Sequence, residues 1–203
     1  MATRTRRPGV ERRGEIAEAA LRLLGRGGLS AVTSASLAAA VGVAPAALFR
    51  HYETLAAIVE AAVDLAVARL DGCFQATDAA PVARLRALAE ARVSLLLEQP
   101  GIAWLLRSEQ AHASLPAPAL ERLHGAIGRS RTYIHGAIRA GIECGALRSD
   151  VSARVLLTIF TATIHTLVAR AGVAHQAVAR PDADDVLPGL FALLCALPPE
   201  SPR

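Results

Sequence analysis

Apolar positions recur with helical spacing along nearly the whole chain, and turn residues separate the segments. Between Glu11 and Arg26, the residues Ile16, Ala20, Leu23 and Leu24 fall on one face with Arg and Glu opposite, and Gly27-Gly28 closes that helix. A short helix is predicted from Ser34 to Val41, with Thr33 or Ser34 placed to cap its free N–H groups. Gly42 then turns the chain, and Pro45 suits the first turn of a third helix ending near His51. Thr54 is placed to cap a fourth, running to about Gln75. Further helices are predicted over 82–98, 101–112, 117–144, 151–171 and 183–196, set apart by Pro81, Pro100, Pro116, Pro118, Gly145, Gly172 and Pro181. Neither strand alternation nor an internal repeat rises above noise, so the fold class is all-α.

Composition agrees. Of the 203 residues, 53% are hydrophobic, 20% charged and 3% aromatic, enough apolar surface for a core of helix packed on helix. All 22 basic residues are arginine, as expected from a GC-rich genome. The formal charge of +4 is uneven: residues 1–53 hold eight Arg (4, 6, 7, 12, 13, 22, 26, 50) against four Glu (11, 15, 18, 53), and the remainder balances. Such a segment suits a polyanion, or is a solvated Arg-rich tail. Cys73, Cys144 and Cys195 are widely spaced with no CxxC, which fits a reducing, cytoplasmic setting. The basic N-terminus lacks an apolar stretch after it, unlike a signal peptide. The apolar stretch 151–171 is interrupted by Arg154, His165, Arg170 and four threonines, so a buried helix is expected and no membrane span.

The segment from Leu29 to Val63 is the most informative. Two short helices meet at Val41-Gly42-Val43 with longer helices before and after, the order of a helix-turn-helix, with Leu37, Ala38, Val41, Val43, Leu48 and Tyr52 as internal contacts. Topology alone fits any pair of short helices in a bundle. The residue order is more specific. Ile16, Ala20 and Leu23, then Gly28-Leu29, Thr33, Leu37-Ala38, Val41-Gly42-Val43 and Leu48-Phe49-Arg50-His51-Tyr52 together resemble the DNA-binding domain of the TetR family, from Arg12 to about Ala62.

The resemblance implies a DNA-binding transcriptional regulator with a helix-turn-helix, and not an enzyme. It is expected to be a repressor released from a double-stranded DNA operator by a small hydrophobic effector. Thr33 and Ser34 would meet phosphate. Pro45, Ala46, Phe49 and Arg50 would face the groove, His51 would approach phosphate, and Tyr52 would pack beneath. An arm with Arg4, Arg6 and Arg7 would enter the adjacent minor groove. Arg50 has the planar fork for a guanine edge, or equally for a phosphate. Two residues depart from the family's pattern: Phe49 stands where tyrosine is usual and Leu55 where lysine is usual, which removes two phosphate contacts. The alternative is therefore a TetR-like helical protein with degenerate DNA binding, acting as a ligand-binding or protein-partner module.

The implied organisation is a basic arm (1–10), a helix-turn-helix domain (11–53), a connecting helix (54–76) and a C-terminal helical bundle for ligand sensing and dimerisation (77–203). A homodimer is expected through the last two helices, with Val155, Ile159, Ala162, Thr166, Leu190 and Leu194 at the interface. An effector pocket is expected among the helices at 82–98, 101–112, 117–144 and 151–171, with Trp104, Tyr133 and His165 as candidate lining, although each is also an ordinary core residue. The six histidines show no pairing with carboxylate support, so no metal and no cofactor is expected, and spacing leaves open whether His112 approaches His124. Nucleophile elbow, phosphate loop and paired carboxylates are not found, so no catalytic residue is assigned.

Overall fold

A computed structural model describes residues 9–74, 78–171 and 183–195. Its helices are α1 (Gly9–Gly27), α2 (Ser34–Val41), α3 (Pro45–Leu48), α4 (Leu55–Asp71), α5 (Pro81–Glu98), α6 (Pro100–Arg107), α7 (Glu109–Ser114), α8 (Ala117–Glu143), α9 (Ala153–Ala171) and α10 (Ala183–Leu194), with a 3-10 turn over Gly28–Ala31. The all-α expectation holds: the described residues contain no strand, only a single antiparallel bridge between Leu147 and Cys195. No helix among them is long and apolar enough to cross a membrane.

The chain forms two compact units. The first comprises residues 1–69 and 99–125, the second 70–98 and 126–203. Residues 99–125, assigned by sequence to the C-terminal bundle, therefore pack with the helix-turn-helix.

In the first unit, α1 is buried along a broad face through Ile16, Ala19, Ala20, Leu21 and Leu24. It meets α6 backbone to backbone. A Cβ added at Gly101 would lie 1.9 Å from the Leu21 carbonyl oxygen, and one at Gly25 would lie 2.6 Å from the Gly101 nitrogen. Only glycine allows that approach. Leu37, Ala38, Leu48 and Tyr52 are buried in the core of this unit, as are Ile58, Val59, Ala62 and Val63 of α4. The predicted helix over 101–112 is in fact two. Ser108 adopts an extended conformation that ends α6, and its hydroxyl accepts a hydrogen bond from the Ala111 N–H, starting α7. Arg69 pairs with Glu18 at 2.7 Å and donates to Gln99 Oε1, tying α4 to α1 and to the start of α6.

In the second unit, α5 buries Leu85, Leu88, Ala89, Val93 and Leu96, α9 buries Leu156, Leu157, Phe160, Ile164 and Val168, and α10 buries Leu187, Leu190, Phe191 and Leu194. Phe160 and Phe191 meet edge to face at 6.3 Å. Gly145, at φ +75°, ends α8 in the left-handed conformation, and the returning chain places Arg148 N–H on the Leu194 carbonyl at 3.0 Å.

Candidate nucleic-acid interface

Helix α2 begins with a reciprocal cap. Thr33 Oγ1 accepts from the Ser36 N–H at 3.1 Å while Ser36 Oγ accepts from the Thr33 N–H at 3.0 Å. The Thr33 hydroxyl is thus already engaged, and Ser34 stands half-buried beside it. The helix ends at Gly42 in the left-handed conformation (φ +69°), whose N–H and that of Val43 both return to the Ala38 carbonyl. That reversal needs no Cβ and fixes the angle at which α3 departs.

Pro45 opens α3, as its position predicts, but the helix is shorter than expected. It ends at Leu48, and Phe49 to His51 form a turn in which the His51 and Tyr52 N–H groups both reach the Leu48 carbonyl. The cause lies in α1. The Tyr52 hydroxyl donates to the Arg13 carbonyl at 3.0 Å, and the Arg13 guanidinium lies 4.2 Å over the Tyr52 ring while donating to the His51 carbonyl. Burial pushes the Tyr52 hydroxyl's pKa up, against the opposing pull of Arg13. Arg12 likewise reaches the Val41 carbonyl at 3.3 Å and Glu15 at 2.7 Å. Two arginines of the basic segment are therefore braces of the helix-turn-helix, which charge counting does not reveal.

The outer side of this arrangement is consistently open. Thr33, Pro45, Ala46 and Arg50 are exposed, Phe49 is 46% exposed, and His51 is half-buried. Arg50 makes no ion pair among the described residues, so its guanidinium is free to meet an anion or a base edge. Leu55 is half-buried at the start of α4. Val41 and Val43, expected inside, are also only half-buried. Arg4, Arg6 and Arg7 lie outside the described residues.

Residues 16–62 match the family profile described as bacterial regulatory proteins, tetR family. They form a tetR-family domain. The fold of the whole chain is similar to solved structures at low identity. The ketosteroid transcriptional regulator KstR2 of Mycobacterium tuberculosis is 21% identical, with 92% of this chain and 96% of that chain covered and a TM-score of 0.73. AibR in complex with isovaleryl coenzyme A and operator DNA is 19% identical, covering 90% and 97%, with a TM-score of 0.74. A TetR transcriptional regulator from Chloroflexus aurantiacus J-10-FL is 21% identical, covering 93% and 98%, with a TM-score of 0.71. No match is found among the curated proteins. The tetR-family domain accounts for the segment's order of elements and for the aromatic pair Phe49 and Tyr52, one outward and one inward.

The other candidate residues are distributed differently from expectation. Trp104 belongs to the first unit, where its indole ring lies 3.0 Å from the point a Cβ on Gly28 would occupy. Tyr133 and His165 belong to the second. On α9, Val155 and Ile159 are each 41% exposed, and Ala162 and Thr166 continue the same open stripe. Leu190 and Leu194 do not share an open stripe: at 4% and 1% exposure they fill the core of their own unit, and the large exposed apolar residue of α10 is Leu193, at 65%. His112 Nδ1 and His124 Nε2 do approach, to 3.0 Å, with the rings stacked. No group of three or more His, Cys, Asp or Glu side chains suited to a metal ion occurs among the described residues.

Proposed function

We propose that this protein is a DNA-binding transcriptional regulator, a dimeric repressor released from its operator by a small, largely hydrophobic effector. The observation that carries the reading is the tetR-family helix-turn-helix, braced by Arg12, Arg13 and Tyr52 and presenting Pro45, Ala46, Phe49 and Arg50 outward. The backbone N–H groups of Ser34 and Ala35 at the start of α2 suit a phosphate, the Ser36 N–H being taken by the Thr33 cap. Arg50 is the residue suited to a base edge.

The exposed stripe Val155, Ile159, Ala162 and Thr166, together with Leu193, is the proposed dimer face, and a dimeric helix-turn-helix protein of this kind reads half-sites in successive major grooves about 34–36 Å apart. AibR's structure with isovaleryl coenzyme A and operator DNA supports the pairing of small molecule and DNA. An effector held in the second unit acts on the end of α4, whose last two residues belong to that unit. A preference of ~1–3 kcal/mol for one spacing of the heads shifts operator affinity roughly 5–150-fold.

The test is titration of fluorescent duplexes from the gene's own upstream region against a random duplex at two salt concentrations. Tight, sequence-preferring binding that Arg50→Ala weakens more than random binding supports the regulator. Weak binding driven only by salt refutes it and favours the second reading, a ligand-binding or protein-partner module, which the bare apolar ring of Phe49 supports.

A further inference from the structure

His112 on α7 and His124 on α8 lie 12 residues apart in the chain, yet His112 Nδ1 and His124 Nε2 stand 3.0 Å apart. The ring centres are 5.2 Å apart and the ring planes differ by 17°. Two facing imidazole nitrogens this close cannot both carry a proton, so one is a bare acceptor and a single proton holds the pair. Both residues belong to the first unit, and water reaches both: His124 is exposed and His112 half-buried. An exposed glutamate stands one helical turn ahead of each histidine, Glu109 before His112 and Glu121 before His124. As the side chains stand, neither carboxylate completes a set of three ligands among the described residues.

Neutral imidazole suits divalent ions of the zinc, nickel and copper class. With metal–nitrogen bonds of about 2.0–2.1 Å, two imidazoles in adjacent coordination positions hold their nitrogens about 2.9–3.4 Å apart. The observed 3.0 Å falls inside that interval. An ion can therefore take the place of the shared proton through a tilt of the two rings, and the proton passes to the other nitrogen of its own ring. We propose that His112 and His124 form a binding site for one divalent transition-metal ion, with water in its remaining positions. Glu109 and Glu121, on the same helix faces, add negative charge beside the ion. The site goes beyond the effector pocket, because it lies in the unit that carries the helix-turn-helix. Gln110, two residues before His112, has its Oε1 3.0 Å from the point a Cβ on Gly28 would occupy, and Arg122, two residues before His124, pairs with Glu60 of α4 at 3.1 Å. An ion joining the histidines cross-links α7 to α8, two helices that brace that unit.

The test is calorimetric titration of the full chain with Zn²⁺ alone, in a buffer that does not bind the ion. One site per chain is expected. His112→Asn and His124→Asn should each weaken it at least as much as the roughly 10–100-fold that follows loss of a hydrogen-bond partner behind a metal ligand. Glu109→Gln with Glu121→Gln should weaken it by a smaller factor, and Cys144→Ser, which removes the exposed thiol, should leave it unchanged. Zn²⁺ should also raise the melting temperature of the parent protein but not that of the double variant His112→Asn/His124→Asn. Circular dichroism reports whether each variant folds, and either single variant carries the test if the other does not. A parent protein that binds no Zn²⁺ overturns the inference and leaves the pair as a hydrogen bond between helices. Binding that survives in the double variant at parental strength overturns it as well. Because the titration contains no DNA, failure of operator binding leaves this site standing, and failure of the site leaves the regulator standing.

Discussion

Replacing Gly101 by alanine places a methyl carbon 1.9 Å from the Leu21 carbonyl oxygen and 2.8 Å from its carbonyl carbon. Neither is the end of a flexible side chain, so the clash has no rotamer solution. To bring the oxygen out to even 3.0 Å, α6 has to retreat from α1 by about 1.1 Å, the difference between 3.0 and 1.9. A gap of that size forfeits a quarter to a half of the dispersion energy of the atoms lining it. Overpacking of this kind costs about 1–3 kcal/mol, and at this chain length each kcal/mol moves the melting temperature by roughly 2–4 °C. Gly101→Ala should therefore melt roughly 2–12 °C below the parent protein. Gly14 gives the opposite sign on α1 itself. It is exposed, and a Cβ there meets nothing within 4 Å, so Gly14→Ala should gain about 0.5–1 kcal/mol from the lost backbone freedom of the unfolded chain. Thermal unfolding of the three proteins by circular dichroism decides the matter. A Gly101→Ala protein that melts at or above the parent would refute the close helix crossing.

Thr33→Ala removes the hydroxyl half of the α2 cap and should cost about 1 kcal/mol, measured by urea unfolding. Tyr52→Phe deletes the bond to the Arg13 carbonyl while keeping the ring, and should cost about 0.5–1.5 kcal/mol. The Tyr52 hydroxyl's raised pKa has a further consequence: its contribution is present below pH 10 and is lost as pH rises through the folded-state pKa, so Tyr52→Phe should lose less stability in alkali than the parent. Of the thiols, the exposed Cys144 should react with a disulfide reagent in the native protein. Cys73, buried and with its ionisation opposed by that burial, should react only on unfolding.

The helix-turn-helix was legible because its rules are local. A β-hydroxy residue before an apolar run, a glycine at the reversal and a proline at the next helix start each act within a few residues, and Thr33, Gly42 and Pro45 occupy those positions. The length of α3 was not legible, because Tyr52 is held by Arg13 from a different helix. Gly25 and Gly101 carry no sign of their meeting, since each looks like an ordinary helix glycine until the other's backbone arrives. Ser108 did offer a signal, a capping residue followed by Glu109, which the continuing apolar pattern obscured. On α10 the run from Val186 to Leu197 is apolar nearly all round, so periodicity has no phase to report, and Leu190, Leu193 and Leu194 sort themselves only when Phe191 packs on Phe160.

The chain contains a single tryptophan, and the fold has put it where the backbone is barest. Trp104 lies over Gly28, which has φ +64° and no side chain to hold the indole at a distance. Its near-ultraviolet absorption and emission therefore belong to the unit that carries the helix-turn-helix. Tyr133, stacked on Phe74, supplies an aromatic signal from the other unit. The protein is in this sense optically labelled by its own sequence: selective excitation of the indole follows the helix-turn-helix unit without attaching a dye, and a change confined to that signal is assignable to one half of the molecule.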